Sequence, residues 1–384
     1  MAEHLRITAE LVDGAAGSRI WSESLDASAS DPIDVQERIA RTIADKIEPE
    51  LTGSSHRFSS QIPNANLAAK SLYLQGRYHL ERRTEEGLQC AVDFFEKALA
   101  EDAQFALAHS GLADAWTLLA HYGVLGPSGV WTKAAFSAAA AVRLDGHSAE
   151  AATSMAHLRA TQDWDWAGAE QDFQRGIQLN PRYATARHWY ATSCLVPMAR
   201  LDDALRQLEV AQSLDPVSSI IARDLAMMHF YRRDFEEALD QCDHAVELNP
   251  DFAPVYHALG LIQEQRKDLD EAAAAFRRVV DLSPTTPRAY SALARTLAVS
   301  GCFDQSLETL ALLERLADRR YVSPFEFVTI PFALGDSLRG YQWLKRACDD
   351  RCFELLSLRV DPRFDGLRHE SSFVTTTRGL GRDC

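Results

Sequence analysis

The chain has 384 residues, 46% of them hydrophobic and 25% charged, with a formal net charge of −15. That is the composition of a folded protein rather than of a disordered chain. The acidic balance excludes a surface built to sit on nucleic-acid phosphates or anionic lipid, because such binding runs on clustered Lys and Arg. The start, Met1 to Arg6, has no basic region leading into an apolar core, and nowhere do eighteen apolar residues run together, so no membrane partner and a cytoplasmic location are expected. The seven cysteines (Cys90, Cys194, Cys242, Cys302, Cys348, Cys352 and Cys384) are scattered and odd in number, as suits reduced thiols. Cys348 and Cys352 would share a helix face, but a metal needs two further ligands, and neither metal nor cofactor is expected.

In chain order, Leu5, Ile7, Ala9 and Leu11 alternate with Arg6, Thr8 and Glu10, the pattern of a half-buried strand. Residues 13–17 read as a turn and 19–25 as the returning strand. Asp31 then caps a helix with Pro32 at its first position, and Val35, Ile39, Ile43 and Ile47 line one side. A hairpin and one helix bury little on their own, so segment 1–52 needs a companion, and a homodimer formed through its free strand edge is one expectation. Residues 53–66 read as a linker.

A period of 34 then takes over. Ala204, Ala238, Ala272, Ser306 and Gly340 stand 34 apart, and Pro216, Pro250 and Pro284 keep the same step. The small residue lets two helices of a hairpin approach, and four residues on a bulky one fills the adjacent gap, as Phe95 follows Ala91, Phe173 follows Ala169 and Phe276 follows Ala272. The proline lies just past the second helix and stops it. Extending the register gives helix pairs at 67–101, 106–144, 148–180, 184–214, 218–248, 252–282, 286–317 and 322–350, with a capping segment and tail at 351–384.

One repeat carries a recognisable signature: Tyr256, Leu259, Gly260, Ala272, Phe276 and Pro284 follow the W-x2-L-G, A-x3-F, P pattern of the tetratricopeptide repeat, or TPR. The chain resembles that family, which implies an all-α solenoid of about eight hairpins in a right-handed superhelix over 67–350. The phrases at 5–13, 20–24 and 34–40, with 321–324, 332–336, 343–347 and 360–365, resemble the TolB/FlgO-like module and TPR region of bacterial class III adenylate cyclases, winged-helix regulators and Ser/Thr kinases. The resemblance implies a partial α/β segment at 1–52 and a role in bacterial signalling. It also leaves open that the chain is the detached regulatory tail of a cyclase or kinase.

No catalytic centre emerges, and the chain is not expected to be an enzyme. His109, His157, His188, His229 and His257 fall on first helices as packing or solvent-facing residues, and no H-E-x-x-H, Gly-x-Ser-x-Gly or Walker phrase occurs. Gly123, Gly126 and Gly129 sit between helices rather than after a strand, and Asp163 to Trp166 reads as a capped turn.

A binding face is expected instead. First helices of a TPR array line its concave side, and in 184–317 they carry six arginines against two acids, whereas the second helices carry four against fourteen. The expected groove takes a protein or peptide partner, acidic or presenting a C-terminal carboxylate, on Arg187, Arg223, Arg288 and Arg295. Trp189, Met227, Phe230, Tyr231 and His257 are the expected neighbouring contacts. The Lys and Asn arrangement that grips chaperone tails is not visible.

Overall fold

The computed structural model describes residues 4–12, 19–28 and 66–378, and the chain divides into two compact units, 1–65 and 66–384. In the first, β1 (His4–Val12) runs antiparallel to β2 (Arg19–Ser28), with Ile7 opposite Leu25 and an irregularity between Leu11 and Val12. The turn expected at 13–17 and the helix expected after Asp31 lie outside the described residues.

The second unit is all-helical over its described residues, and its helices come in pairs. They are α1 (Leu67–Glu81) with α2 (Glu85–Glu101), α3 (Ala106–His121) with α4 (Pro127–Leu144), and α5 (Ala149–Leu158) with α6 (Trp166–Leu179). Then follow α7 (Ala184–Trp189) with α8 (Leu201–Leu214), α9 (Ser219–Arg232) with α10 (Phe235–Leu248), α11 (Ala253–Arg266) with α12 (Leu269–Leu282), and α13 (Pro287–Val299) with α14 (Phe303–Ala317). The eighth pair departs from the expected hairpin: a 3-10 turn, Pro324–Phe327, and the short α15 (Thr329–Ala333) stand where a first helix belongs, ahead of α16 (Ser337–Asp349). Pro324 and Pro331 supply no N–H to a helical ladder, which keeps both pieces short.

The small residues do the expected work. Ala91, Ala169, Ala204, Ala238, Ala272 and Ser306 are all fully buried, as are Phe95, Phe173 and Phe276. Phe95 is wedged between two glycines: a Cβ built on Gly76 would lie 2.5 Å from its ring and one on Gly111 2.6 Å. The ring therefore joins α1 and α2 to the next first helix, α3. Three helices begin on hydroxyl or carboxylate caps, with Thr84 accepting from the Gly87 N–H, Ser148 from Ala151 and Asp165 from Gly168, each at 3.0 Å. From the fifth pair onward each hairpin turns on a left-handed residue, Arg233, Lys267, Gly301 and Gly335, again 34 apart. Arg and Lys sit where glycine is at ease, a modest local strain at two turns.

Two first helices loosen into π-helix at their ends, over Arg159–Asp163 after α5 and Tyr190–Leu195 after α7. Such widened turns recur at functional sites.

The array closes on itself. Glu85, at the start of α2, accepts hydrogen bonds from Arg320 at 2.7 Å and Thr285 at 3.2 Å, and Arg288 at the start of α13 donates to the His121 carbonyl at 3.3 Å. Beyond α16 the chain folds back in two 3-10 turns, Phe353–Ser357 and Pro362–Phe364, before α17 (Ser371–Thr377). Cys352, Leu355, Leu358, Phe364 and Phe373 are buried with Phe325, Val328 and Leu344, with Trp164 of the third hairpin packed against them. The expected terminal cap is thus also a cross-brace.

Candidate functional site

The first helices of the second to seventh hairpins line the inner face together, and the returning segment 353–357 lies on it. Phe353 stacks on His121 with ring centroids 3.7 Å apart. Glu354 accepts from Arg288 at 3.3 Å and from the Ser323 hydroxyl at 3.1 Å. Farther along, Arg233 grips Asp365 at 2.6 Å and the Val360 carbonyl at 2.9 Å. The chain's own C-terminal segment thus covers part of the face that the sequence assigned to a partner.

Among the cavities of this face, two concern the expected groove. One, of 150 Å³, is walled by His121, His157, His188, Trp189, Thr192, Arg223, Asp224, Met227 and Tyr231, with Arg83 at one side and Phe353, Glu354 and Ser357 as its cover. The other, of 290 Å³, opens between the first hairpin turn and the turns that start α11 and α13. Arg82, Arg83, Arg223, Arg288 and Arg320 line it against only Glu85 and Asp251. The N-termini of α11 and α13 reach the same cleft through Ala253, Pro254, Pro287 and Arg288, and their helix dipoles add to its attraction for negative charge.

The electrostatics of the inner face follow from burial. Burial pushes the His121 and His157 imidazoles well below their ordinary 6.5, with nearby arginines adding to the effect. His157 stacks on Trp189, centroids 4.1 Å apart, and meets His121 edge-on at 5.0 Å. Burial alone would raise the Asp224 carboxyl, but Arg223 at 2.8 Å and His188 at 2.5 Å hold it below the usual carboxylate range. Burial also pushes the Tyr231 phenol up to about 12.

Of the nine residues expected to form the groove, Trp189, Arg223, Met227, Tyr231, His257 and Arg288 line one or both cavities. Phe230 does not: it is fully buried against Tyr231 and Phe235, because its helical position points between α9 and α10. Arg187 lies outside both cavities and donates to Gln207 at 2.9 Å. Arg295 is paired with Glu264, itself buried and held by Thr296 at 2.7 Å. Counting charge by helix missed this pairing, since Arg295 and Glu264 come from neighbouring first helices. Sequence reasoning also missed Arg83 and Arg320, which lie in turns and reach the face only because the array closes. Among the described residues no group of three His, Cys, Asp or Glu side chains could hold a metal ion. No described helix is long and apolar enough to cross a membrane.

A family model for the tetratricopeptide repeat matches residues 223–287 and 257–319. The chain carries TPR repeats. The chain is weakly similar to the protein named "Putative adenylate cyclase 3" of Rhizobium meliloti (strain 1021), 25% identical over 112 residues, which are 29% of this chain and 19% of that one. The chain therefore matches only about a fifth of the length of that curated relative. Among solved structures, TTC0263, a thermophilic TPR protein of Thermus thermophilus, is 21% identical with a TM-score of 0.41, covering 45% of this chain and 93% of that chain. YrrB, described as a TPR protein with an unusual peptide-binding site, is 21% identical with a TM-score of 0.31, covering 51% and 91%. Pseudomonas aeruginosa pilF is 17% identical with a TM-score of 0.40, covering 55% and 94%.

Proposed function

We propose that the chain is a non-catalytic adaptor that holds an acidic segment of a protein partner in the arginine-lined cleft, as part of a cytoplasmic bacterial signalling system. The observation that carries this reading is the gathering of five arginines and two helix N-termini around one 290 Å³ opening whose lining includes only two acids, with Arg83, Arg223, Arg288 and Arg320 held in place by Glu81, Asp224, Glu354 and Glu85. Charge-assisted hydrogen bonds from such a cluster suit carboxylates. With the protein as a whole at −15, attraction for an acidic partner rests on local clusters such as this one. The similarity to a cyclase supports the signalling context. The remaining folded context follows the same reading, with hairpins wound as a right-handed superhelix and 1–52 the remnant of an α/β module.

The test uses a fluorescein-labelled, Glu- and Asp-rich decapeptide with a free C-terminus. Anisotropy should rise saturably at low salt and weaken as salt increases. Reversing Arg82 and Arg320 to Glu should lower affinity by tenfold or more; because Arg320 also holds Glu85, the comparison is with Glu85→Gln, which breaks the same contact, keeps both arginines and should keep its affinity. Affinity unchanged by the double reversal would remove the proposal.

A second reading concerns self-association. The two-stranded sheet of the first unit has β1 and β2 as its only members among the described residues, and a strand edge of such a sheet is a template on which another copy can pair. Light scattering on the full chain and on a version starting near residue 60 decides it: equal masses per chain would exclude pairing through 1–52.

A further inference from the structure

The 150 Å³ cavity sets the rings of His121, His157, His188, Trp189, Tyr231 and Phe353 around hydrogen-bonding atoms that have no protein partner. Arg83 is 4% exposed, His121 5% and His157 3%. Arg83 Nε, His121 Nε2 and His157 Nδ1 are all buried and unpartnered, and all three residues line the cavity. Buried polar atoms are nearly always satisfied, so these three, with Arg223 Nε also unpartnered on the same lining, need a common explanation. Nearby acids do not provide it. Asp224 is engaged by Arg223 and His188, and Glu354 by Arg288 and Ser323. Glu81 meets the Arg83 Nη2 at 3.4 Å and leaves Nε without a partner.

Two further features mark the same wall. Arg83 has φ +53, a left-handed backbone that costs a non-glycine residue energy and is retained where surrounding structure demands it. Thr192 and Ser193, which also line the void, lie in the π-helical stretch Tyr190–Leu195. The chain's own Glu354 already brings a carboxylate to the rim on Arg288, so the face accepts such a group. The volume is about that of a cavity able to enclose benzene.

We propose that this cavity is a binding site for a small oxyanion ligand, a carboxylate- or phosphate-bearing molecule of roughly benzene size, whose oxygens accept from Arg83 and from the His121 and His157 rings. Segment 353–357 forms its cover. The site shares Arg83, Tyr122, Arg223 and Arg288 with the peptide cleft, but His157 and Thr192 line only this cavity and Arg82 and Arg320 only the other, so variants at those positions tell the two apart.

The test titrates the full chain with sodium benzoate and, separately, with inorganic phosphate, by calorimetry and by the fluorescence of Trp189, whose indole stacks on His157. Saturable 1:1 binding of benzoate identifies a carboxylate site, and of phosphate a phosphate site. The R83Q and H157N variants should each weaken that probe by about tenfold, or about 1.4 kcal/mol, while R320E leaves it unchanged. Because Arg83 is buried, R83Q is judged only if its helical melt is intact, and otherwise H157N decides. The proposal is overturned if neither probe saturates at millimolar concentration, or if binding survives the deciding variant undiminished.

Discussion

Gly111→Ala tests whether one phenylalanine joins consecutive hairpins. In an isolated helix the change would stabilise by about 1 kcal/mol, since alanine is the better helix former. Here the new Cβ would stand 2.6 Å from two atoms of the Phe95 ring. Phe95 is fully buried, with Tyr73 5.8 Å away between centroids and Gly76 on its other flank, so the ring cannot retreat without moving α1. Overpacking of this kind costs about 1–3 kcal/mol, and the clash is severe enough to place it near the upper end. Subtracting the propensity gain leaves a net loss of about 1–2 kcal/mol. Chemical denaturation followed by far-UV circular dichroism reads the difference. Pairing the change with Phe95→Leu, which shortens the ring, gives a double-mutant cycle in which the two losses should sum to more than the loss in the double variant. A Gly111→Ala protein as stable as the parent, or more so, would refute the wedge.

Three further outcomes follow from the same contacts. Glu85→Gln should cost about 1 kcal/mol and raise amide exchange in both the 82–88 and 283–288 turns, since Glu85 ties them through Arg320 and Thr285; exchange confined to one turn would argue against closure. Phe353→Ala should lose about 2 kcal/mol and increase exchange across 352–357, because the ring rests on His121. The stability of the protein should fall as pH drops below 6.5, because the unfolded chain takes up a proton that buried His157, held well below 6.5, does not. That contribution is at most about 1.36 kcal/mol per pH unit. His157→Asn should remove it, so its stability deficit shrinks on acidification; parallel curves for parent and variant would contradict the assignment.

The hairpins were legible because the signals that make them are local. Ala91 and Phe95, or Ala272 and Phe276, lie four residues apart on one helix, and their spacing alone puts them on the same buried stripe. The left-handed turns were half legible, since Gly301 and Gly335 announce themselves whereas Arg233 and Lys267 share their backbone without sharing their chemistry. The proposed sites were least legible. Arg320 meets Glu85, and Phe353 meets His121, across more than two hundred residues. Such meetings depend on small rotations accumulated from one hairpin to the next. No residue encodes that sum. Sorting charge by helix found Arg223 and Arg288, but it could not foresee that Glu354 would return to neutralise one of them.

An open stack of repeats can peel apart from either end, each unit held only by its neighbours. The clasp between Glu85 and Arg320 changes that, because the first hairpin and the loop after the seventh hold one another and neither is a free end. Fraying must first break a bond between distant parts of the chain, so melting becomes more nearly all-or-none. A nick in a middle hairpin should then leave two pieces still fastened together.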